Sequence, residues 1–163
     1  MGTIVMTRID ARLVHGQVAA RWTKYLNASK IVIVSDQVAS DPFMVELFNL
    51  AAPMGTSVIC YSLDEAVAEW EKDQFGDGRI IILFQDVPFA KKALESGIGY
   101  ERINVGQVPG GPGRQHAVET VSLSQEEFEM LAAIEQAGVE VYFQSVPDVA
   151  ETPLSKVAPK FKA

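Results

Sequence analysis

The chain has 163 residues, of which 48% are hydrophobic and 21% charged, and a formal net charge of −7. That length suffices for one domain with a substantial core, and the acidic balance excludes a general nucleic-acid binder. One cysteine, Cys60, excludes a disulfide framework, and no run approaches the roughly 20 apolar residues of a membrane span. The opening MGTIVMTRID lacks a basic stretch ahead of a long apolar one, so it does not read as a signal peptide, and a cytoplasmic location is expected.

TIVMT (3–7) reads as the first strand, and Gln17 to Leu26 as a helix with Val18, Trp22 and Leu26 on one face and Asn27 as its stop. KIVIVS (30–35) is the second strand, and Ser40-Asp41-Pro42 opens a helix with proline where its missing N–H is harmless. TSVICY (56–61) precedes the capping-box pattern Ser62 to Glu65. RIIILF (79–84) follows, then a helix opened by Asp86-Val-Pro88 and closed by Gly97, then RINVG (102–106). HAVETVSL (116–123) predicts a further short strand at an edge. Ser124 to Glu127 repeats the capping box for a helix ending at Gly138, VEVYF (139–143) is the last major strand, and 153–161 a terminal helix or tail.

Several of these strands are almost continuously apolar, as parallel strands covered on both faces are. The expected fold is therefore α/β, an open, doubly wound, mostly parallel sheet with helices on both faces, built as a single domain over 1–163. Once the core helices are assigned, no long exposed apolar stripe is expected to remain. Ligands of such sheets bind beyond the carboxyl ends of the strands, which is where the loop Arg8 to Gly16 lies.

That loop holds one of only two histidines. Residues 1–30 carry five Lys/Arg (Arg8, Arg12, Arg21, Lys24, Lys30) against the single acid Asp10, whereas the remainder carries nine against twenty. His15-Gly16-Gln17 marks the entry to the first helix, where free N–H groups favour an anion. Arg8 and Arg12 add forks matched to phosphate oxygens, and a ring nitrogen of His15 is available as a nucleophile. Asp10 has two candidate roles, holding an arginine or bonding the second ring nitrogen.

Other chemistries fit less well. A zinc site needs three or four ligands, and two histidines among arginines do not supply them, so no metal and no cofactor is expected. There is no G-x-S-x-G elbow, no Walker A, and no G-x-G-x-x-G opening a helix after strand one. A receiver-type phospho-aspartate domain would need a pair of acids where Arg-Ile-Asp stands. A histidine in a phosphate cradle without a nucleotide site points to phosphoryl relay; the alternative is a non-catalytic α/β regulatory domain binding a phosphate or sugar phosphate at the same loop. The second glycine-rich stretch, Val105 to Ala117, reads as a turn-rich surface loop or as a backbone nest from which Arg114 reaches phosphate. His116 beside it reads as a loop or strand-edge residue rather than a second phosphate carrier, since it lacks the setting of His15.

TRIDARLVHGQV resembles the active-site segment of the enzyme IIB components of the mannose/fructose/sorbose family of the bacterial phosphotransferase system. RINVGQV, ETVSLSQEE and AGVEVYFQSVP are similar to later segments of that family, so the resemblance spans nearly the whole chain; GQVPGGPGR departs from its pattern. The resemblance implies that His15 is phosphorylated, on Nδ1, by a phosphohistidine of a IIA protein. It further implies transfer to a sugar delivered by membrane IIC/IID components, so that membrane association is peripheral. Arg8, Asp10, Arg12, Gly16 and Gln17 match the motif and are given supporting roles by it. The sugar is not identified.

Overall fold

The apolar runs become buried strands in a computed structural model that describes residues 1–162. In chain order the strands are β1 (Thr3–Asp10), β2 (Lys30–Val34), β3 (Ser57–Tyr61), β4 (Arg79–Phe84), β5 (Arg102–Gln107), β6 (Gln115–Val118), β7 (Val121–Leu123), β8 (Glu140–Phe143) and β9 (Thr152–Pro153). The helices are α1 (Gly16–Leu26), α2 (Asp36–Ala39), α3 (Pro42–Leu50), α4 (Leu63–Asp73), α5 (Val87–Glu95), α6 (Gln125–Gln136) and α7 (Leu154–Val157), the last continuing into a 3₁₀ turn at 158–160.

Seven strands form one sheet in the order β3-β2-β4-β1-β5-β8-β9, parallel throughout except for the antiparallel β8–β9 edge. Helices cover both faces, as the strand composition predicts. Trp22 of α1, Val38 of α2 and Met44, Val45 and Phe48 of α3 pack on one face with Ile31, Ile33, Ile81 and Leu83. Side chains of α4, α5, α6 and α7 pack on the other, around Val32, Ile80, Ile82 and Phe84. Burying each such large side chain contributes about 1.5–3 kcal/mol. Both capping boxes form: the hydroxyls of Ser62 and Ser124 accept from the N–H groups of Glu65 and Glu127, whose carboxylates accept in return.

Position in the sheet is what matters for the site. β1 lies between β4 and β5, and the chain leaves it for β2 on one side and reaches β5 on the other. The crevice at the carboxyl end of β1 is therefore the switch point where such sheets bind ligands.

Four expectations change. The first strand continues to Asp10, so Arg8 and Asp10 are strand residues. The segment expected as one edge strand is a β6–β7 hairpin forming its own two-stranded sheet, tied to the main one by a bridge between Val108 and Val121. Ser35 caps a short helix, α2, by accepting from the Val38 N–H. And α3 carries large apolar side chains on both faces, so that Phe43, Leu47 and Leu50 stay exposed beside Glu46 and Asn49 while Met44, Val45 and Phe48 pack inward.

Candidate functional site

The site grows from the last residues of β1. Side chains alternate along a strand, so Arg8 and Asp10 point to the same face. The Arg8 guanidinium is 2% exposed, and every bond it makes closes on protein. Its Nη1 donates to Asn104 Oδ1 (2.5 Å) and the Gln144 carbonyl (3.0 Å). Its Nη2 donates to Asp10 Oδ2 (3.2 Å) and the Ser145 carbonyl (3.0 Å). The Trp22 ring lies 5.4 Å away, and Trp22 Nε1 donates to the same Ser145 carbonyl (3.1 Å). Burial pulls the Arg8 pKa below its ordinary value; the Asp10 carboxylate opposes that shift, and Arg12 adds to it.

Asp10, equally buried, passes the constraint outward. Its Oδ1 accepts from the Arg12 backbone N–H (2.9 Å) and from Arg12 Nε (3.0 Å), and its Oδ2 from Arg12 Nη2 (3.0 Å). The two-pronged grip fixes the Arg12 fork, as guanidinium–carboxylate geometry favours. Arg12 is one-third exposed, and its Nη1 has no partner among the described residues. Of the two roles open to Asp10, the one it fills is holding arginines: Arg8 on one side and Arg12 on the other.

The chain then turns. Leu13 N–H donates to the Asp10 carbonyl (2.9 Å), and Leu13 sits in the left-handed region (φ 58°) with its side chain buried. A buried leucine held there is strained, and packing against Trp22 and Leu83 is what retains it. The turn delivers His15 to the surface as the N-cap of α1, in extended conformation and with no side-chain cap bond. Gly16 follows at φ +36°, and neither a basic nor an acidic side chain caps the first turn; no acid lies in it at all. The N–H groups of Gly16, Gln17 and Val18 thus open to solvent with the positive end of the helix dipole.

The positive patch is smaller than the sequence implied. Arg8 is interior, Lys30 donates to the Phe75 carbonyl at the opposite end of the sheet, and Arg21 pairs with Asp148. Lys24 lies in the last turn of α1, which leaves Arg12 and the helix N-terminus beside His15.

Arg114 is committed elsewhere. Its Nε and Nη2 donate to the two carboxylate oxygens of Glu127 (2.9 Å each) and its Nη1 to the Pro109 carbonyl (3.0 Å). It pins the glycine-rich loop to the start of α6. His116 is exposed on the hairpin, with Nε2 on the Glu119 carbonyl (3.0 Å).

Two residues that sequence reasoning missed complete the cluster. Asn104 is fully buried in β5 and bonds both Arg8 and the Gln144 carbonyl (3.2 Å). Gly106 faces the Arg8 guanidinium so closely that an added Cβ would lie 2.0 Å from Arg8 Cζ. The signal was present: asparagine and glycine interrupt an otherwise apolar strand, RINVGQ. Among the described residues, no cluster of His, Cys, Asp and Glu could hold a metal ion, and no helix is long and apolar enough to cross a membrane.

The chain matches the family model described as PTS system sorbose subfamily IIB component over residues 4–163. It is 32% identical over 138 residues to the sorbose-specific EIIB component of Klebsiella pneumoniae, covering 85% of this chain and 84% of that one. It is 30% identical over 143 residues to the mannose-specific EIIAB component of Escherichia coli K12, covering 88% of this chain but 44% of that relative's length. The solved structure of manxB from Thermoanaerobacter tengcongensis superposes with a TM-score of 0.92 at 34% identity, covering 100% of this chain and 99% of that one.

Proposed function

The chain belongs to the sorbose-subfamily IIB components of the phosphotransferase system, the sugar phosphotransferases of that system, and on this premise we propose that His15 is its phosphoryl carrier. His15 takes the group from a phosphohistidine on a IIA protein and passes it to a sugar delivered by membrane IIC/IID components. The chain acts on the cytoplasmic face as a single IIB domain, 1–163. The observation that carries the assignment is the exposed, uncapped His15 at the start of α1, on the same turn as the Asp10-held Arg12.

The chemistry follows from the geometry. A ring nitrogen of His15 attacks phosphorus in line, and its bond to phosphorus forms as the donor's nitrogen–phosphorus bond breaks. Charge on the three equatorial oxygens then needs fixed donors more than it needs an acid or base. Arg12 and the N–H groups of Gly16 and Gln17 supply them, already oriented. Arg8 acts at one remove: it positions Asp10, which positions Arg12. Arg114 carries no phosphate contact in this reading.

The assay is intact mass after incubation with phosphoenolpyruvate, enzyme I, the phosphocarrier protein HPr and a cognate IIA. Wild type is expected to gain one acid-labile phosphoryl group and His15→Gln none. No gain on wild type in the presence of phosphorylated IIA would overturn the relay in favour of an anion-binding regulatory domain. A gain on both would move the chemistry to another residue, with His116 the first to replace.

A further inference from the structure

We infer that the outer face of α3 is the docking surface for the acceptor side of the relay, the cytoplasm-facing loops of the membrane sugar permease. This rests on the functional reading above and extends it from the carrier residue to a partner surface.

Phe43, Leu47 and Leu50 fall at helical spacing on α3, and Met54 follows just beyond its end; they are 70%, 43%, 75% and 102% exposed. Their inward counterparts Met44, Val45 and Phe48 already pack the core, so the outer residues are not needed to hold the helix down. A run of large apolar side chains on the outside of a helix of about 14 Å is the geometry by which one helix face seats on a partner. α3 shares its face of the sheet with α1 and with Leu13 and Val14 of the reactive loop; its first turn, with Phe43, follows the carboxyl end of β2 toward His15, while Leu50 and Met54 run back toward the start of β3.

Charge selects the occupant. From residue 36 to residue 56 the chain carries Asp36, Asp41 and Glu46 and no lysine or arginine, and all three acids are exposed. Two copies of this chain packed by the same patch would bring these acids against each other, as a two-fold interface must. An anionic bilayer would be repelled by them. The loops of a membrane protein on its cytoplasmic side are instead enriched in Lys and Arg, which complements an acid-rimmed apolar stripe. The basic turn at Arg12 and His15 is left to an acidic donor. The two partners therefore share His15 but read different surroundings.

The test compares wild type with the double variant Leu50→Ser/Met54→Ser, and separately with Glu46→Lys, in two assays. The first follows phosphorylation of the chain by phosphorylated IIA in solution. The second follows transfer from the phosphorylated chain to sugar in inverted membrane vesicles carrying the cognate permease. The double variant is expected to raise the KM for the chain about tenfold or more in the second assay and to leave the first unchanged. Glu46→Lys is expected to raise that KM and to weaken its dependence on salt. An unchanged second assay overturns the surface assignment, as does an equal loss in both assays or self-association of wild type that the variant abolishes. A wild type that takes no phosphoryl group in the first assay overturns the functional reading and the acceptor surface with it.

Discussion

Replacing Gly106 with alanine tests whether the buried guanidinium organises the site. The backbone at 106 is not in the left-handed region, so alanine is conformationally acceptable there and only space is at issue. The new methyl would lie 2.0 Å from Arg8 Cζ and 2.2 Å from both terminal nitrogens, far inside van der Waals contact. Those nitrogens are held by Asn104, Asp10 and the carbonyls of Gln144 and Ser145, so the fork cannot retreat without giving up bonds. Displacing one member of a buried, hydrogen-bonded ion pair costs about 3–5 kcal/mol. Urea unfolding of Gly106→Ala should show a loss of that order. Phosphoryl acceptance should slow as well, because Asp10 and then Arg12 lose their anchor. Gly111→Ala is the control: nothing lies within 4 Å of its added Cβ, and its stability should stay within about 1 kcal/mol of wild type. A Gly106→Ala protein as stable as the control would refute the close approach and the positioning role built on it.

Arg12→Lys keeps the charge but removes the two-pronged bond to Asp10, and should slow phosphoryl acceptance about tenfold or more in rapid-quench kinetics. Arg114→Ala should cost about 1 kcal/mol in denaturant by freeing Glu127, while the rate of phosphoryl acceptance stays that of wild type. Burial raises the pKa of Tyr100 above the ordinary tyrosine value, and its hydroxyl donates to the Ala90 carbonyl. Above pH ~10 the unfolded chain therefore releases a proton that the folded chain retains, so stability falls as pH rises, by up to about 1.4 kcal/mol per pH unit from this group. Melting curves across that range should show a shallower decline for Tyr100→Phe, and identical slopes would contradict the burial argument.

The architecture was legible because its signals are local. The apolar runs of parallel strands, the two Ser/Glu capping boxes and Asn27, which ends α1 in the left-handed conformation, each announce themselves within a few residues. The His15 turn was legible for the same reason. Arg8 was not, because what buries it lies 96 to 137 residues away, in Asn104 and the carbonyls of Gln144 and Ser145. An arginine at the end of a strand reads as exposed until those partners are known. The bonds of Arg114 were not legible in its glycine-rich surroundings either, because its partner Glu127 belongs to the next helix. The α3 stripe escaped for a different reason: hydropathy marks both faces of that helix as core, and only the packing separates them.

Placing the first strand in the middle of the sheet also sets an order of events in synthesis. β1 leaves the ribosome first, yet one neighbour pairs it through Thr3 with Arg79 and the other through Arg8 with Asn104. Contacts of such sequence separation form late, since long loops must close before they are rewarded. The βαβ unit of β2 and β3 is complete earlier and needs nothing downstream to pair. A nascent chain halted before residue 144 would carry His15 but lack the carbonyls that seat Arg8. The arginine anchor beneath the His15 turn is thus completed only when the last major strand has been made.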